Sequence, residues 1–362
     1  THQYVRENHQ LLKTRKWSDI IVDEAQIAKK PKSKLYKALC AIPAETRVAL
    51  SGTPVENSIS DLWALSNFVV PGILGDLDVL MRKVEYNSVD GVLSDWLKEW
   101  IADRTSLIVL RRTKAQVLPD LEAMKEVLHP IILESSERQA YNSLRITLKE
   151  RLFESEDAEP DRGRILRAIT HLRQFVNHPL SCSAWENSYQ DTIPNKYNYV
   201  FSQIRGLLSE GKKIVLFSQF ASIVQLFERD LRKSGVKPFK LVGATKSRQE
   251  LVNRFNSTKG SAILLATTKT GGLGLNLTSA DHIILFDPWW NPAVEAQAAN
   301  RAHRIGRRGE LTVHRYLVEK TVEQHLADIK AVKIGLFNSL MGGELRNMKA
   351  VSNEDLLELL DS

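Results

Sequence analysis

The stretch SDIIVDEAQ, residues 18–26, decides how this chain folds, because a short apolar run ends there directly at two carboxylates. The run is too short for a helix and rich in β-branched residues, so it predicts a buried strand. In a doubly wound α/β sheet, strands of this kind end in polar residues at the edge where ligands bind. Residues 47–50, which lead into SGTP, and residues 107–110, which end at Arg111, predict two more such strands.

The second half of the chain shows the strand–helix alternation of βαβ units. Strands are predicted at residues 214–217, 239–242, 262–266, 283–286 and 311–317, with helices at 223–234, 248–255 and 293–302. Residues 135–185 are helical and charged in pattern, with Ser135 or Ser136 as the N-cap, and further helices are predicted at 321–340 and 353–360. The predicted fold class is therefore α/β with helical insertions.

The composition is that of an ordinary globular protein. The 362 residues are 43% hydrophobic and 26% charged, which is enough for two or three domains. No run of 18 apolar residues occurs, so we expect no membrane span. Cys40 and Cys182 cannot form a disulfide framework and fit a reducing setting. The net charge of +7 is compatible with an anionic partner, and the start without Met leads us to expect a piece of a longer protein.

The segment GLLSEGKK, residues 206–213, resembles the beginning of a phosphate-binding P-loop but lacks its chemistry. Lys213 stands where the loop needs a Ser or Thr for Mg²⁺, and the helix precedes the strand instead of following it. Gly211 is predicted to end a helix. No other G-x-x-x-x-G-K occurs in the sequence.

The carboxylates that follow the first strand suit nucleotide hydrolysis. One of Asp23 and Glu24 can hold Mg²⁺ through water, and the other can orient the attacking water. A surface pair without function is the alternative, which the buried strand before it disfavours. Gln26 is placed to sense the nucleotide. In LSGTP, residues 50–54, the hydroxyls could bind a phosphate or could form only a tight turn before a helix.

The stretch QAANRAHRIGR, residues 297–307, predicts an arginine clamp. Gln297, Arg301 and Arg304 fall at i, i+4 and i+7, which is one stripe of a helix. Paired guanidinium groups suit a phosphoryl group whose charge builds in the transition state. An exposed helix with salt bridges is the alternative, and the dense alanine residues speak against it.

Two neighbouring stretches combine glycine, hydroxyl and tryptophan side chains: TTKTGGLGLNLTSAD, residues 267–281, and FDPWWNP, residues 286–292. The glycines, including Gly274, let the backbone approach a ligand. Thr267 and Lys269 offer a hydroxyl and a charge to a phosphate backbone. The two tryptophans are expected to pack against the sheet rather than to stack on bases.

In order and spacing, these stretches resemble the Swi/Snf family of ATP-dependent double-stranded-DNA translocases, in helicase superfamily two. VDEAQ resembles motif II, and LSGTPVENSISDLW resembles motif III with Ser51 where Thr is usual. LRRTKAQVL and LRQFVNHP are similar to family blocks, and IVLFSQF is similar to motif IV. The run TGGLGLNLTSADHIILFDPWWNPAVEAQAANRAHRIGR resembles motifs V and VI. GTPVEN and VPGILG are more similar to the bacterial and archaeal branch.

The resemblance implies two RecA-like lobes with an ATP site in the cleft between them. Residues 1–134 would be the C-terminal part of lobe one with a helical insertion, 135–192 a helical protrusion, 193–335 lobe two and 336–362 a helical tail. The implied nucleotide residues are Asp23 for Mg²⁺, Glu24 for water, Gln26, Gly274 and Gln297 near the nucleotide, and Arg301 and Arg304 as fingers. The implied DNA contacts are Ser218, Gln219, Thr267, Lys269 and Arg111.

Departures from the family pattern limit this expectation. Asn300 replaces the usual Asp and Arg307 the usual Gln, which puts the coupling between lobes in doubt. The family's P-loop precedes motif II by a long stretch that this sequence does not contain. We therefore expect that the chain alone neither binds ATP tightly nor hydrolyses it.

The predicted function is that of an ATP hydrolase that translocates on double-stranded DNA and remodels protein–DNA complexes, displacing a DNA-bound protein. The alternative is a non-hydrolysing nucleic-acid-binding scaffold, which the intact carboxylates and arginines disfavour. An upstream G-x-x-x-x-G-K-[ST] would separate the two. A strand-separating helicase is a third option that an unwinding assay would test. The expected location is the cytoplasm with the nucleoid in a prokaryote, or the nucleus in a eukaryote.

Overall fold

The structure is a computed structural model that describes residues 1–52, 59–89, 92–112, 114–118, 124–153, 161–185, 194–271, 275–289, 292–304, 306–307, 309–328 and 353–360. Its contacts divide the described chain into two compact units. The first contains Thr1–Arg112, and the second contains the described residues from 114 onward, as far as 328, and 353–360.

The first unit has a two-stranded parallel sheet with helices around it. Its strands are β1 (Trp17–Val22) and β2 (Ala44–Ala49), paired in register from Trp17 with Ala44 to Val22 with Ala49. Its helices are α1 (His2–Lys13), α2 (Lys34–Ala41), α3 (Ile59–Val69), α4 (Leu77–Tyr86) and α5 (Asp95–Ser106). A short antiparallel pair, β3 (Ser88–Val89) and β4 (Val92–Leu93), precedes α5. The strands predicted at 18–22 and 47–50 are confirmed.

Side-chain caps fix where three of these helices begin. Ser33 accepts a hydrogen bond from the Tyr36 N–H at the start of α2, and Ser94 accepts one from the Leu97 N–H at the start of α5. Asp76 accepts two backbone N–H groups at the start of α4. Each cap satisfies N–H groups that have no partner inside the helix.

The strand predicted at residues 107–110 is wrong. These residues follow the end of α5 in irregular structure, and Leu107 and Leu110 are 83% and 78% exposed. A short apolar run is compatible with a buried strand only when neighbouring strands cover it.

The second unit is built on a six-stranded, all-parallel sheet in the order β5–β10–β9–β6–β8–β7. The strands are β5 (Met124–Ile131), β6 (Lys213–Ser218), β7 (Phe239–Leu241), β8 (Ala262–Thr267), β9 (His282–Leu285) and β10 (Leu311–Val318). The helices among them are α9 (Asn195–Ser209), α10 (Ala221–Lys233), α11 (Arg248–Ser257), α12 (Thr268–Gly271) and α13 (Pro292–Asn300). The five strands predicted in this half are confirmed.

Helices cover both faces of this sheet, which explains why its central strands read as continuous apolar runs. In β6, Ile214 and Leu216 pack with residues of α9 and α10, among them Phe227. The alternate residues Val215 and Phe217 pack on the other face with residues of α11 and α13.

The edge strand β5 was not predicted. Its sequence MKEVLHPI contains Pro130 and two charged residues, and its outer positions are exposed, as is typical of an edge strand. Because β5 pairs with β10 over its whole length, the division between units lies after Arg112, whereas the sequence placed it after residue 134.

A helical layer packs on the end of this sheet. It comprises α7 (Ser135–Phe153), α8 (Arg162–Asn177), the helical residues 322–328 (α14) and α15 (Asn353–Glu358). The short helix α6 (Lys114–Val117) precedes β5. Ser135 is the first helical residue of α7 rather than its N-cap, and the Glu134 backbone N–H donates to Glu137 instead. Helix α9 ends at Ser209, and Gly211 follows its C-cap with φ 79°, so the helix end predicted at this glycine is confirmed.

Among the residues that the structure describes, no helix has the length and apolarity needed to cross a bilayer.

Candidate functional site

The two strands of the first unit end side by side, and backbone hydrogen bonds join the segments that follow them. Leu50 N–H donates to Val22 O over 2.8 Å, and Ala25 N–H donates to Leu50 O over 2.8 Å. Because the strands are parallel, this pairing brings the carboxylates after β1 to the same edge as the hydroxyl after β2.

Glu24 has a left-handed backbone, with φ 50° and ψ 46°. Its N–H donates to Asp23 Oδ1 over 2.9 Å, and it stands at the start of a 3₁₀ turn, Ala25–Ala28. A non-glycine residue in this region costs roughly 1–2 kcal/mol. Strained backbone of this kind clusters at functional sites, so the conformation supports a role for the Glu24 carboxylate.

A chain of two hydrogen bonds links Glu24 to the end of β2. Gln26 Nε2 donates to Glu24 Oε2 over 2.7 Å, and Ser51 Oγ donates to Gln26 Oε1 over 2.8 Å. Gln26 is buried, at 9% exposure, so its amide is held in one orientation by both partners. The sequence predicted Gln26 beside a nucleotide; the structure places it between the two strand ends, where it fixes the glutamate.

Asp23 fits a magnesium ion held mainly by water. Its carboxylate is exposed, and among the described residues no group of three or more His, Cys, Asp or Glu could hold a metal ion. Mg²⁺ is commonly bound by one or two carboxylates, with waters and substrate phosphates completing its shell. A cavity of about 560 Å³ lies beside Asp23 and Glu24, with Val5, Trp17 and Ile20 on its apolar wall.

In the second unit, Gln297 and Arg301 lie one helical turn apart. The Arg301 N–H donates to Gln297 O over 3.1 Å. Helix α13 ends at Asn300, however, and the exposed Arg304 lies beyond it, so the three side chains do not form one helical stripe. The alanines around them pack as the sequence predicted, with Ala298, Ala299 and Ala302 buried in the sheet core. The catalytic roles of Arg301 and Arg304 stay predictions.

Arg307, which departs from the family pattern, is engaged with backbone carbonyls. Its guanidinium donates to Gly309 O over 3.0 Å and to Thr278 O over 3.3 Å, and it also donates to Ala280 O and Glu310 O. These bonds join the segment after α13 to the segment before β9. Arg307 therefore has a structural role here, which a glutamine could fill only in part because it has fewer donors.

The predicted nucleic-acid contacts of the second unit gather at the carboxyl edge of its sheet. Ser218 and Thr267 are register partners at the ends of β6 and β8. Thr267 Oγ1 lies 2.7 Å from Thr270 Oγ1, which donates to Leu241 O over 3.0 Å at the end of β7. Hydroxyl groups therefore join the ends of β7 and β8 at this edge.

Ser218 and Gln219 differ in how much of them can reach a ligand. Ser218 is fully buried, and its hydroxyl donates to Asp287 Oδ2 over 2.6 Å and accepts from the Phe220 N–H. Gln219 is partly exposed at the same edge. Contact of either residue with nucleic acid stays a prediction.

Three other predicted site residues remain, and two of them lie wholly or partly outside the described part of the chain. Gly274 lies outside the described residues. Lys269 belongs to α12, and its side chain is likewise outside the described part. Arg111 is exposed in the irregular segment at the end of the first unit.

The sequence reasoning did not single out Asp287, although the signal was present. Asp287 follows the apolar run 283–286 as Asp23 follows the run that ends at Val22. Unlike Asp23, it is buried, at 5% exposure. Burial raises the pKa of the Asp287 carboxyl, and the nearby Arg173 acts in the opposite direction.

Glu295 is a second residue that the sequence reasoning missed. It is the buried acidic residue of the alanine-rich α13, and its Oε1 accepts the Trp289 N–H over 2.6 Å. Its other oxygen pairs with Arg315 of β10, which also bonds Glu126 of β5 over 3.1 Å. These bonds tie the backbone at Trp289 to the sheet. Trp290 lies outside the described residues, so the packing of the two tryptophans stays a prediction.

Comparison with known proteins gives two domain matches that together span most of the chain. The SNF2-related domain matches residues 1–181, and the helicase conserved C-terminal domain matches residues 195–306. An uncharacterized ATP-dependent helicase of Mycoplasma pneumoniae is 31% identical over 99% of this chain and 34% of its own length. The DNA repair and recombination protein RAD26 of Saccharomyces cerevisiae is 32% identical over 90% of this chain and 32% of its own length.

A solved structure agrees with these matches. The SWI2/SNF2 ATPase core domain of Sulfolobus solfataricus is 28% identical and aligns with a TM-score of 0.51 over 96% of this chain and 72% of that one. Its fold confirms the predicted α/β class with two parallel-sheet lobes. The chain spans about a third of the length of the curated relatives named above. By its domains and its relatives, the chain belongs to the SNF2 family of helicase-like ATPases.

Proposed function

We propose that this chain supplies motifs II to VI of a DNA-dependent ATPase that translocates on double-stranded DNA and displaces bound protein. The observation that carries the proposal is the strained Glu24, whose carboxylate Gln26 and Ser51 hold at the end of two parallel strands. A scaffold has no need to hold a carboxylate in this way. Membership of a family of helicase-like ATPases gives independent support.

Each of the proposed site residues would have a different role in ATP hydrolysis. Asp23 would hold Mg²⁺ through water, and the ion would neutralise phosphate charge. Glu24 would orient the attacking water and take its proton, with Gln26 keeping the carboxylate in place. Arg301 and Arg304 would stabilise the negative charge that develops on the transferred phosphoryl group.

The carboxyl edge of the second sheet is the proposed nucleic-acid surface. Hydroxyl and amide groups at strand ends suit a phosphate backbone, which such groups contact without reading the base sequence. Gln219 and Thr267 are partly exposed there, and the net charge of +7 favours a polyanion. One relative is a DNA repair and recombination protein, which is consistent with DNA as the partner.

Glu24→Gln tests the proposed hydrolysis. ATP turnover with and without duplex DNA should be measured on the full-length protein that carries this chain. We expect Glu24→Gln to lower kcat by at least about 100-fold and to leave DNA affinity unchanged, because the amide cannot accept the proton. Glu45→Gln, at an exposed position of β2, is the matched control and should keep wild-type turnover.

The scaffold remains a second candidate because the sequence contains no complete G-x-x-x-x-G-K-[ST]. The two candidates differ in what the full-length protein does with ATP. DNA-stimulated hydrolysis that Glu24→Gln abolishes supports the enzyme, whereas DNA binding without hydrolysis supports the scaffold. We propose further that the 362 residues by themselves do not hydrolyse ATP, and measurable turnover by the isolated chain would contradict this.

A further inference from the structure

The inference concerns the Asp287 carboxylate, which accepts hydrogen bonds from three groups in two segments of the second unit. Oδ2 accepts from Ser218 Oγ over 2.6 Å and from Asn177 Nδ2 over 3.2 Å, and Oδ1 accepts from the Gln219 N–H over 2.9 Å. Three donors on one buried carboxylate stabilise its ionised form. Asp287 therefore fixes the turn in which β6 ends.

The same turn is fixed from its other side. Gln219 Nε2 donates to Pro288 O over 2.6 Å, and Arg173 Nη2 donates to the same oxygen over 2.7 Å. The Gln219 side chain is thus tied to the residue after Asp287, while its backbone is tied to Asp287 itself. The positions of the Gln219 backbone and side chain therefore both depend on the position of the segment that follows β9.

A buried ion pair is connected to Asp287 through Asn177. Lys196 and Glu323 are fully buried, and Lys196 Nζ lies 2.5 Å from Glu323 Oε1. Lys196 also donates to Asn177 Oδ1 over 2.9 Å, which turns the Asn177 amide nitrogen toward Asp287. Glu323 in turn accepts the Val318 N–H at the end of β10. The end of β10 is therefore connected to the end of β6 through polar groups that are all paired.

We propose that Asp287 is a positioning residue for nucleic-acid binding, which holds Gln219 at the carboxyl edge of the sheet, and that the Lys196–Glu323 pair holds Asp287 through Asn177. The inference rests on the proposed function, since it assumes that this edge binds DNA. A carboxylate is repelled by phosphate, so Asp287 cannot serve as a direct contact. Ser218 has the same positioning role, because its hydroxyl donates to Asp287 inside the protein.

The direction in which one substitution changes the DNA affinity distinguishes a positioning role from a purely electrostatic effect. Asp287→Asn removes a negative charge close to the proposed DNA surface, so electrostatics alone predicts tighter binding. The asparagine leaves one acceptor oxygen for three donors, so loss of positioning predicts weaker binding. We expect Kd for a fluorescein-labelled DNA duplex, measured by anisotropy on the 362-residue chain, to rise at least about fivefold.

Asp281→Asn is the matched control. Asp281 Oδ2 accepts the Lys213 N–H over 2.7 Å, so it supports the same strand, β6, at the opposite end. The same substitution there replaces a charge-assisted hydrogen bond by a neutral one, without reaching the carboxyl edge. We expect its Kd to equal that of the wild type or to be slightly lower, even where its melting temperature falls.

A second variant tests whether Asp287 acts through Gln219. If it does, adding Asp287→Asn to Gln219→Ala weakens binding much less than Asp287→Asn does in the wild type. Gln219 is partly exposed, so its variant is expected to fold. Amide hydrogen exchange of residues 217–221 should accelerate in Asp287→Asn and not in Asp281→Asn, and this readout does not depend on DNA.

Each outcome bears on one claim. Wild-type binding with an unchanged or lower Kd in Asp287→Asn overturns the positioning role and leaves the proposed function standing. Equal weakening by Asp281→Asn also overturns it, because the effect would then be one of stability. No DNA binding by the wild type, at low salt and micromolar protein, overturns the DNA surface and this inference with it.

Discussion

At the scale of single residues, Ser51 shows how a small side chain can control a distant carboxylate. Its hydroxyl is two hydrogen bonds away from Glu24 Oε2, and the intervening Gln26 is buried. Without the hydroxyl, the Gln26 amide loses the partner that fixes its orientation, and the same amide then holds Glu24 less firmly. Orientation of the general base is worth a large factor in rate, because misplacement of a catalytic group by about 1 Å is costly.

We therefore expect Ser51→Ala to lower the kcat of ATP hydrolysis by about tenfold while KM stays within about twofold. The change removes one hydroxyl and leaves the Glu24 carboxylate in place. Ser51→Thr is the control, since it keeps the hydroxyl and should retain most of the activity. Steady-state kinetics of the full-length protein would check both variants, and a Ser51→Ala enzyme with wild-type kcat would contradict the relay.

The sequence made these residues candidates but could not show how they are connected. Adjacency to a predicted strand pointed to Asp23 and Glu24, and a family resemblance pointed to Gln26 and Ser51. The left-handed backbone of Glu24 had no sequence signal, because glutamate gives no sign of a positive φ. The direction of the Gln26 amide likewise depends on a partner 25 residues away.

At the scale of elements, three neighbouring strands carry a row of histidines. His129 of β5, His314 of β10 and His282 of β9 are linked by two ring-to-ring contacts, each 3.0 Å between nitrogens. His129 Nδ1 also lies 3.2 Å from the Tyr199 hydroxyl. The central ring is buried and the outer two are partly exposed. The row extends across the three neighbouring strands.

The hydrogen-bond partners of these histidines indicate which ring nitrogen of each imidazole carries the proton. The Tyr316 O–H donates to Gln203 Oε1 over 2.5 Å, which leaves the Gln203 amide nitrogen 3.2 Å from His314 Nδ1. His314 Nδ1 is therefore an acceptor and its Nε2 carries the proton. With Nε2–H on each ring, every contact in the row has one donor and one acceptor, so all three imidazoles are neutral.

The row makes stability depend on pH. Burial, helped by the two neighbouring imidazoles and Lys125, lowers the pKa of His314 to about 4. Because the pKa is lower in the folded state than in the unfolded state, the contribution is fully present above about pH 6.5 and is lost as the pH falls toward 4. Between pH 7.5 and 5.0 the expected loss is about 2 kcal/mol in the free energy of unfolding.

His314→Gln should remove this part of the pH dependence, because glutamine does not titrate. Urea unfolding followed by circular dichroism at both pH values would measure it. Some dependence should remain in the variant, since burial also lowers the pKa of His178 to about 4. A variant whose stability falls between pH 7.5 and 5.0 by as much as the wild type would show that His314 is not the group that titrates.

The strands of the second sheet were predictable and the histidine row was not. Five strands carry apolar runs that stand out in the sequence, and the four central ones are covered on both faces. The row depends on β5, an edge strand whose polar residues and Pro130 hide its character. Register brings His129 of β5 beside Tyr316 of β10, which lies far along the chain, and no local pattern contains that information.

At the scale of the whole molecule, β5 belongs to the second unit although it lies close in sequence to the first. It pairs with β10 from Met124 with Leu311 to Ile131 with Val318. Ile131 and the following Leu133 are buried in the same core as helices α7 and α8. A piece of the chain that begins after residue 134 would lack the edge strand and two core side chains.

This gives a direct test of where the second unit begins. We expect residues 114–362 to be monomeric and to unfold cooperatively. We expect residues 135–362 to melt about 8–16 °C lower. Two buried side chains are lost, each worth roughly 2 kcal/mol, and 1 kcal/mol shifts the melting temperature of a chain of this size by about 2–4 °C. Size-exclusion chromatography and thermal melting by circular dichroism would compare the two.

The shorter piece should also self-associate, for a reason independent of its lower stability. Without β5, the N–H and C=O groups of β10 lose their partners and form a free parallel edge, which is a template for pairing with a second chain. Lys125 and Glu126, the charged residues of the native edge strand, are lost at the same time. A monomeric 135–362 that melts with 114–362 would show that β5 adds nothing to the fold, and the boundary after residue 134 would then be the correct one.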